Sequence, residues 1–189
     1  MVDPAARKSE QDRYAICYQH HTYGMGHNRK HDCMRMLESV SGKNYLDVGC
    51  GRGEMLDYAE GLGYSVQGVE AVPYLTDGSR VIKADAHALP FADKAFDVVA
   101  MLDVIEHLLP GDDEAACREL CRVSRGFVLL TASNKPSICP DTGFDLHVNK
   151  RPYQEWDGLF RKWFTGTVRW QPIKNTACPP EMHWIVEIA

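Results

Sequence analysis

The sequence predicts an α/β fold, a seven-stranded, mostly parallel sheet with helices on both faces and an antiparallel last strand. Three observations carry this. From Asn44 onward short β-rich runs alternate with helical stretches, the pattern of parallel strands joined by crossovers. A glycine-dense turn, "VGCGRG" (48–53), directly follows the first apolar run and leaves the backbone bare of side chains. The last two strand candidates are separated only by "PIKNTACPP" (172–180), too short and too proline-rich for a right-handed crossover, so the final strand must run antiparallel.

The strand candidates are "NYLDVG" (44–49), "YSVQGVE" (64–70), "RVIKAD" (80–85), "FDVVAML" (96–102), "GFVLLTAS" (126–133), "TGTVRWQ" (165–171) and "MHWIVEI" (182–188). Helices are predicted over 29–40, 53–62, 112–124 and 152–164. The stretch "GDDEAACRELCRV" (111–123) places acids in its first turn and arginines in its last, as the helix dipole favours. "HTYGMGHN" (21–28) reads as a glycine-hinged loop. Cys117 and Cys121, four apart on a helix, read as packing residues.

Composition narrows the class. With 189 residues, 44% hydrophobic and 25% charged, the chain suits one soluble domain. No apolar run approaches the ~20 residues that span a bilayer. "MVDPAARKSEQDRY" lacks the apolar core of a secretory signal. Seven cysteines, an odd and scattered set, do not resemble a disulfide framework and point to a reducing cytoplasm. The net charge of −5 is unevenly spread. Residues 44–133 carry seven Lys/Arg against fifteen Asp/Glu, while 1–43 (seven against five) and 134–189 (seven against six) are faintly basic. Without a dense basic face, nucleic acid is possible but not favoured as a partner.

The glycines choose between cofactors. A dinucleotide fingerprint is G-x-G-x-x-G, with the pyrophosphate on the following helix N-terminus. Here Gly49, Gly51 and Gly53 give G-x-G-x-G, and Glu54 stands where the third glycine belongs. A carboxylate there competes with a pyrophosphate. "LDVGCGRG", the acid Glu70 closing "VQGVE", and "KADAHALPFADKAFDVVAMLDVIEHL" together resemble the ordered motifs of class I S-adenosylmethionine (SAM)-dependent methyltransferases. The closest resemblance is to the type 11, UbiE/UbiG-like branch, over roughly residues 44–133. It implies a Rossmann-like fold, SAM as cofactor and S-adenosylhomocysteine as product. It also implies a single domain over 1–189, with a helical lid (1–43), a SAM-binding core (44–133) and a substrate-side part (134–189).

By that resemblance Asp47 faces the cationic end of the cofactor, and Gly49, Cys50, Gly51 and Gly53 form its cradle. Glu70 and Ala71 meet the ribose, Asp85 and the Ala86 backbone meet the adenine, and Asp103 belongs to the D-V-[IL]-E-H signature. Glu106, His107 and His147 are the candidate catalytic residues, because imidazole and carboxylate can remove a proton from an acceptor hydroxyl. A structural role for Glu106 and His107, and an exposed loop position for His147, stand beside that reading. Tyr14, Tyr18, Tyr23 and Arg29 suggest a lid, with Arg29 pairing the cofactor's carboxylate. The histidines of "CYQHHTYGMGHNRKHDC" (17–33) match no usual zinc spacing, so no metal site is read. Tyr153, Trp156, Trp163, Trp170 and Trp184 suggest a cap over a flat or apolar acceptor.

The acceptor is not written in the chain. The [DNS]-P-P-[YFW] signature of amino-methylating DNA enzymes is absent, and Cys139-Pro140 and Cys178-Pro179 reverse the Pro-Cys order of cytosine-C5 enzymes. The leading expectation is a small-molecule acceptor. A tRNA or protein acceptor, and a non-catalytic SAM-binding sensor or assembly subunit, remain as alternatives. The oligomeric state is not readable.

Overall fold

A computed structural model describes residues 2–19 and 25–189. Two helices, α1 (Pro4–Tyr18) and α2 (His27–Glu38), precede the sheet. Then follow β1 (Asn44–Val48), α3 (Glu54–Gly61), β2 (Ser65–Glu70), β3 (Val81–Lys83), β4 (Phe96–Leu102), α4 (Asp112–Val123), β5 (Ser124–Thr131), α5 (Tyr153–Trp163), β6 (Gly166–Trp170) and β7 (His183–Ile188). Among the described residues the seven strands form one sheet in the order β3-β2-β1-β4-β5-β7-β6. The neighbours from β3 to β5 pair in parallel, and β7 runs antiparallel to both β5 and β6, as the short 172–180 connection requires.

Side chains alternate across this sheet and bury both faces. On one face Leu46, Val48, Val99, Met101, Val128 and Leu130 pack with Ala116, Cys117 and Leu120 of α4 and with Trp156 and Phe160 of α5. On the other, Tyr45, Val98, Ala100 and Leu129 meet Cys33, Met36 and Leu37 of α2 and Met55, Leu56 and Ala59 of α3. The alternation of strand and helix lapses twice. Residues 71–80, with Pro73 and Gly78, hold only the turn Pro73–Leu75, and residues 84–95 hold no helix.

The expected aromatic cap is instead core. Trp156 and Trp184 are fully buried, Trp163 nearly so, and Trp170 stacks on Trp184 at 6.3 Å. Burying rings between α5 and the sheet removes more apolar area from water than a cap would. Tyr153 of that group lines a cavity.

Helix α1 was not anticipated as an element, although Asp3 caps it, accepting from the Ala5 N–H at 3.0 Å, and Pro4 opens it, a standard start signal. The glycine-hinged loop is shorter than expected, because α2 already begins at His27. The disulfide expectation also needs correction. Cys17 of α1 and Cys139, both fully buried, form a disulfide with a Cα–Cα distance of 6.0 Å. Two isolated cysteines 122 positions apart leave no spacing signature. No helix of the described residues is long and apolar enough to cross a membrane.

Asp97 fastens the start of the sheet. Its Oδ2 accepts from the Lys43 and Asn44 N–H groups at 2.7 and 2.9 Å, and its Oδ1 from Arg125 Nε at 2.6 Å. The Arg125 bond, against some desolvation, holds its carboxyl well below the usual carboxylate range. A lowered folded pKa contributes stability that is present above the ordinary carboxylate range and lost as pH falls through the folded value. Asp97→Ala is therefore expected to cost about 1–3 kcal/mol near neutrality in urea unfolding, with the gap to wild type narrowing in strongly acidic buffer.

Candidate active site

The site lies at the carboxyl ends of β1, β2, β4 and β5, where the strand order reverses around β1. Beyond Val48 the chain turns sharply. Gly49, Gly51 and Gly53 have φ of +77°, +53° and +80°, a left-handed path that side chains resist. Space closes two of these positions as well. A Cβ on Gly49 would stand 2.5 Å from Val104 Cγ2, and one on Gly51 2.5 Å from the Tyr18 hydroxyl.

The turn is tied to the end of β2. Gly49 and Cys50 both donate to the Val69 carbonyl, at 2.8 and 3.1 Å. The buried Glu70 carboxylate accepts from Gly51 N at 2.9 Å through Oε2, and from Ala71 N at 2.8 Å and Val72 N at 3.0 Å through Oε1. Burial raises its pKa, while these backbone donors oppose the rise. A carboxylate offers about four acceptor sites, so Glu70 keeps capacity for a ligand hydroxyl.

Two chambers open from the turn. The first holds about 890 Å³ and is lined by Gly49, Glu70, Ala71, Asp85, Ala86 and His107, with Arg7, Gln11 and Tyr14 of α1 on the opposite wall. Asp85 Oδ1 accepts from Gln11 Nε2 at 2.6 Å. The second holds about 1730 Å³ and includes Arg29, Asp47, Cys50, Gly51, Asp103, Glu106, His107, His147 and Tyr153. Tyr14, Gly49 and His107 line both, which makes them halves of one crevice. Helix α1 is held across it by the Arg7–Asp112 ion pair, by Arg52 bonding the Tyr18 carbonyl at 2.7 Å and by the Cys17–Cys139 disulfide.

Asp47, 3% exposed, has its pKa raised to about 7, first by burial and then by the neighbouring Glu70 charge. A cation placed beside it would favour the ionised form. Burial, and then Asp47, pushes the Cys50 thiol well up, so it is no nucleophile. Asp103 has φ of +56° and is gripped from two sides. Thr131 Oγ1 donates to its Oδ1 at 2.7 Å, and the Arg29 guanidinium pairs with both of its oxygens.

That pairing modifies the expectation for Arg29. Two of its nitrogens are engaged by Asp103, and only Nη1, buried and without a partner, remains to take a ligand carboxylate. Tyr23 lies outside the described residues, as do His20 and His21. Gly53 opens α3 rather than lining either chamber.

Glu106 and His107 sit on the turn Ile105–His107 after β4, and His147 on the loop that returns from β5. The sequence brings these three into one place from 40 residues apart. Glu106 is fully buried, its Oε1 accepts from Ser133 N at 2.8 Å, and burial, then Asp103, raises its pKa to about 8. His107 places Nδ1 2.9 Å from the Leu146 carbonyl, and burial, then His147, lowers its pKa to about 3. Burial lowers His147 as well. Gln11, Thr131, Ser133 and the α1 disulfide were not anticipated as parts of the site. Gln11 and Thr131 act through polar side chains that a sequence search could flag, whereas Ser133 acts through its backbone N–H.

Residues 46–129 match the family model described as "Methyltransferase domain". The matched stretch, 84 of the 189 residues, is similar to the methyltransferase domain of that family. Ubiquinone biosynthesis O-methyltransferases from Burkholderia cenocepacia and Bordetella parapertussis are similar at 31% and 29% identity over 109 and 111 residues. These stretches are 51% and 52% of this chain and 47% and 46% of the relatives, so the chain spans about half the length of the curated relatives it matches. Among solved structures, a Pyrococcus horikoshii protein covers 85% of this chain and 86% of its own at TM-score 0.63 and 20% identity. A TehB-like SAM-dependent methyltransferase from Corynebacterium glutamicum covers 98% and 97% at TM-score 0.57 and 14% identity. At those identities the likeness is one of fold.

SAM is the cofactor that this similarity implies, and the residues fit it. Gly49 lines both chambers and Gly51 the second, the buried Asp47 suits a cation, and Glu54 at the start of α3 disfavours a phosphate. Gly49→Ala combines an unfavourable φ with a clash against Val104, and is expected to cost about 1–3 kcal/mol. Urea unfolding should show a lowered midpoint with an unchanged slope.

Proposed function

We propose that this chain transfers the methyl group of SAM to a small-molecule acceptor. One observation carries the reading: the glycine turn, Glu70 and Asp85 line a chamber that opens, past Gly49 and His107, into a second chamber bearing Glu106 and His147. The names of the curated relatives, which are small-molecule O-methyltransferases in ubiquinone biosynthesis, support the small acceptor.

In this reading Glu70 and Ala71 take the ribose, Asp85 and Ala86 the adenine, Asp47 and Asp103 flank the amino-acid end, and Arg29 Nη1 meets its carboxylate. Bound there, SAM supplies an electrophilic methyl group on a sulfur that leaves as a neutral thioether. The protein's work is then alignment and exclusion of water. Helix α1, tied down at three places, and the apolar wall of Val48, Val69 and the half-buried Val104 serve that end. Of the three candidate bases, Glu106 has the proton affinity for the task near neutrality, because burial keeps His107 and His147 neutral and weakly basic.

Incubation with methyl-labelled SAM and fractionated cell metabolites, read by mass spectrometry, tests the assignment. A labelled small product together with S-adenosylhomocysteine is expected. Label only in RNA or protein would overturn the acceptor, and tight cofactor binding without turnover in any fraction would make the chain a sensor or assembly subunit.

Asp47 allows a second check. Near pH 6.5 its carboxyl is partly protonated, and a cationic ligand draws it toward ionisation, so SAM binding should release protons. Calorimetry in buffers of different ionisation enthalpy is expected to show that release in wild type, and to lose it in Asp47→Asn along with about tenfold in affinity.

A further inference from the structure

We propose that Glu106, His107 and His147 bind a divalent first-row transition ion of the Mn²⁺, Fe²⁺, Co²⁺ or Zn²⁺ class at the acceptor end of the crevice, so that the methylated atom is a hydroxyl oxygen. The ion-binding part stands by itself. The assignment of the oxygen rests on the methyl-transfer reading above.

The three side chains offer one ligand atom each within 4.8 Å of one another. Two imidazoles and one carboxylate are a donor set suited to these ions, and three protein ligands on one side leave open positions for substrate or water. The orientation of both rings is set from behind. His107 Nδ1 lies 2.9 Å from the Leu146 carbonyl, and His147 Nδ1 lies 2.5 Å from the Lys135 carbonyl. A carbonyl only accepts, so each Nδ1 carries the proton and each Nε2 keeps its lone pair. Backbone carbonyls hold metal-binding histidines in the same way.

Glu106 supplies the second, independent observation. Its Oε1 takes the Ser133 N–H, but Oε2 is fully buried and without a partner. A buried carboxylate oxygen left unpaired is costly and calls for a ligand. His147 does not provide one, since its Nε2 stands 4.0 Å from Glu106 Oε1, beyond hydrogen-bond range.

The loop that carries His147 is anchored on both flanks. Asn149 N donates to the Glu106 carbonyl at 3.0 Å, and Asn149 Nδ2 to Asp113 Oδ2 at 2.9 Å. Donors around one ion at ~2.1 Å stand about 3–3.4 Å apart, so binding draws the trio inward by roughly 1 Å. All three groups face the chamber shared with Asp47 and Gly51. With Glu106 engaged as a ligand it no longer serves as the base: an acceptor hydroxyl at an open position of the ion would have its pKa lowered, and its proton would pass to solvent water through the crevice mouth. The ion changes neither charge nor oxidation state.

The test uses the full chain, free of any affinity tag and stripped with chelator. Co²⁺ is titrated and followed by its visible absorption, and Mn²⁺ by calorimetry, with and without S-adenosylhomocysteine. One ion per chain is expected, with affinity for both metals at least about tenfold weaker in Glu106→Gln and in His147→Ala, each checked for folding by circular dichroism. Glu106→Gln is isosteric and keeps the test open if His147→Ala does not fold. Failure of wild type to bind either metal, or binding untouched by Glu106→Gln, overturns the proposal. S-adenosylhomocysteine binding measured on the same samples separates the two readings, because a retained nucleoside site without metal sinks only the ion, and the reverse sinks the methyl-transfer assignment.

Discussion

The tie between the glycine turn and the end of β2 is the constraint on which the rest of the site depends. Gly49 and Cys50 share the Val69 carbonyl, and Glu70 reaches back to Gly51 while holding its own next two N–H groups. These bonds compel the backbone into a left-handed path at three glycines and leave the first chamber open above it. A carboxylate so buried would ordinarily lose its charge, and the backbone donors are what oppose that loss. In the proposed reading the residue that shapes the turn is also the one that meets the sugar, so fold and binding would share one group.

Helix α1 supplies the wall that the strands do not. It closes the first chamber with Gln11 and Tyr14, sets Tyr18 over Gly51, and is fastened to three separate parts of the domain: α4 through Asp112, the glycine turn through Arg52, and the post-β5 loop through Cys139. The same post-β5 loop brings His147 beside Glu106. The walls of the two chambers are thereby linked through α1 and the post-β5 loop as well as through the sheet.

The sheet could be read from the chain because its information is local. Strand runs, the acid-first and arginine-last α4 and the short 172–180 connection each act within a dozen residues, and all seven strands lie where periodicity put them. The glycine turn was legible in its own residues, whereas Glu70 and Asp85 came from the family resemblance, and all three meet at one chamber. What escaped was non-local or weakly patterned. Helix α1 is polar on most sides and starts on a cap rather than on an apolar stripe. The Cys17–Cys139 pair and the Gln11–Asp85 bond join distant segments that carry no mutual signal. The tryptophans are the opposite case, where composition suggested a cap and the area gained by burial made them core. Arg29 was assigned to a ligand because the sequence does not show that Asp103 would claim two of its nitrogens first.

The central claim is that this turn, with Glu70 and Asp85, cradles a sulfonium nucleoside. Amide hydrogen exchange with and without S-adenosylhomocysteine tests it most directly. The account predicts slowed exchange in three segments together, 49–53, 70–72 and 84–88, and in α1 above them. Unchanged exchange at saturating nucleoside, or protection confined to surfaces away from the carboxyl ends of β1 and β2, would contradict it.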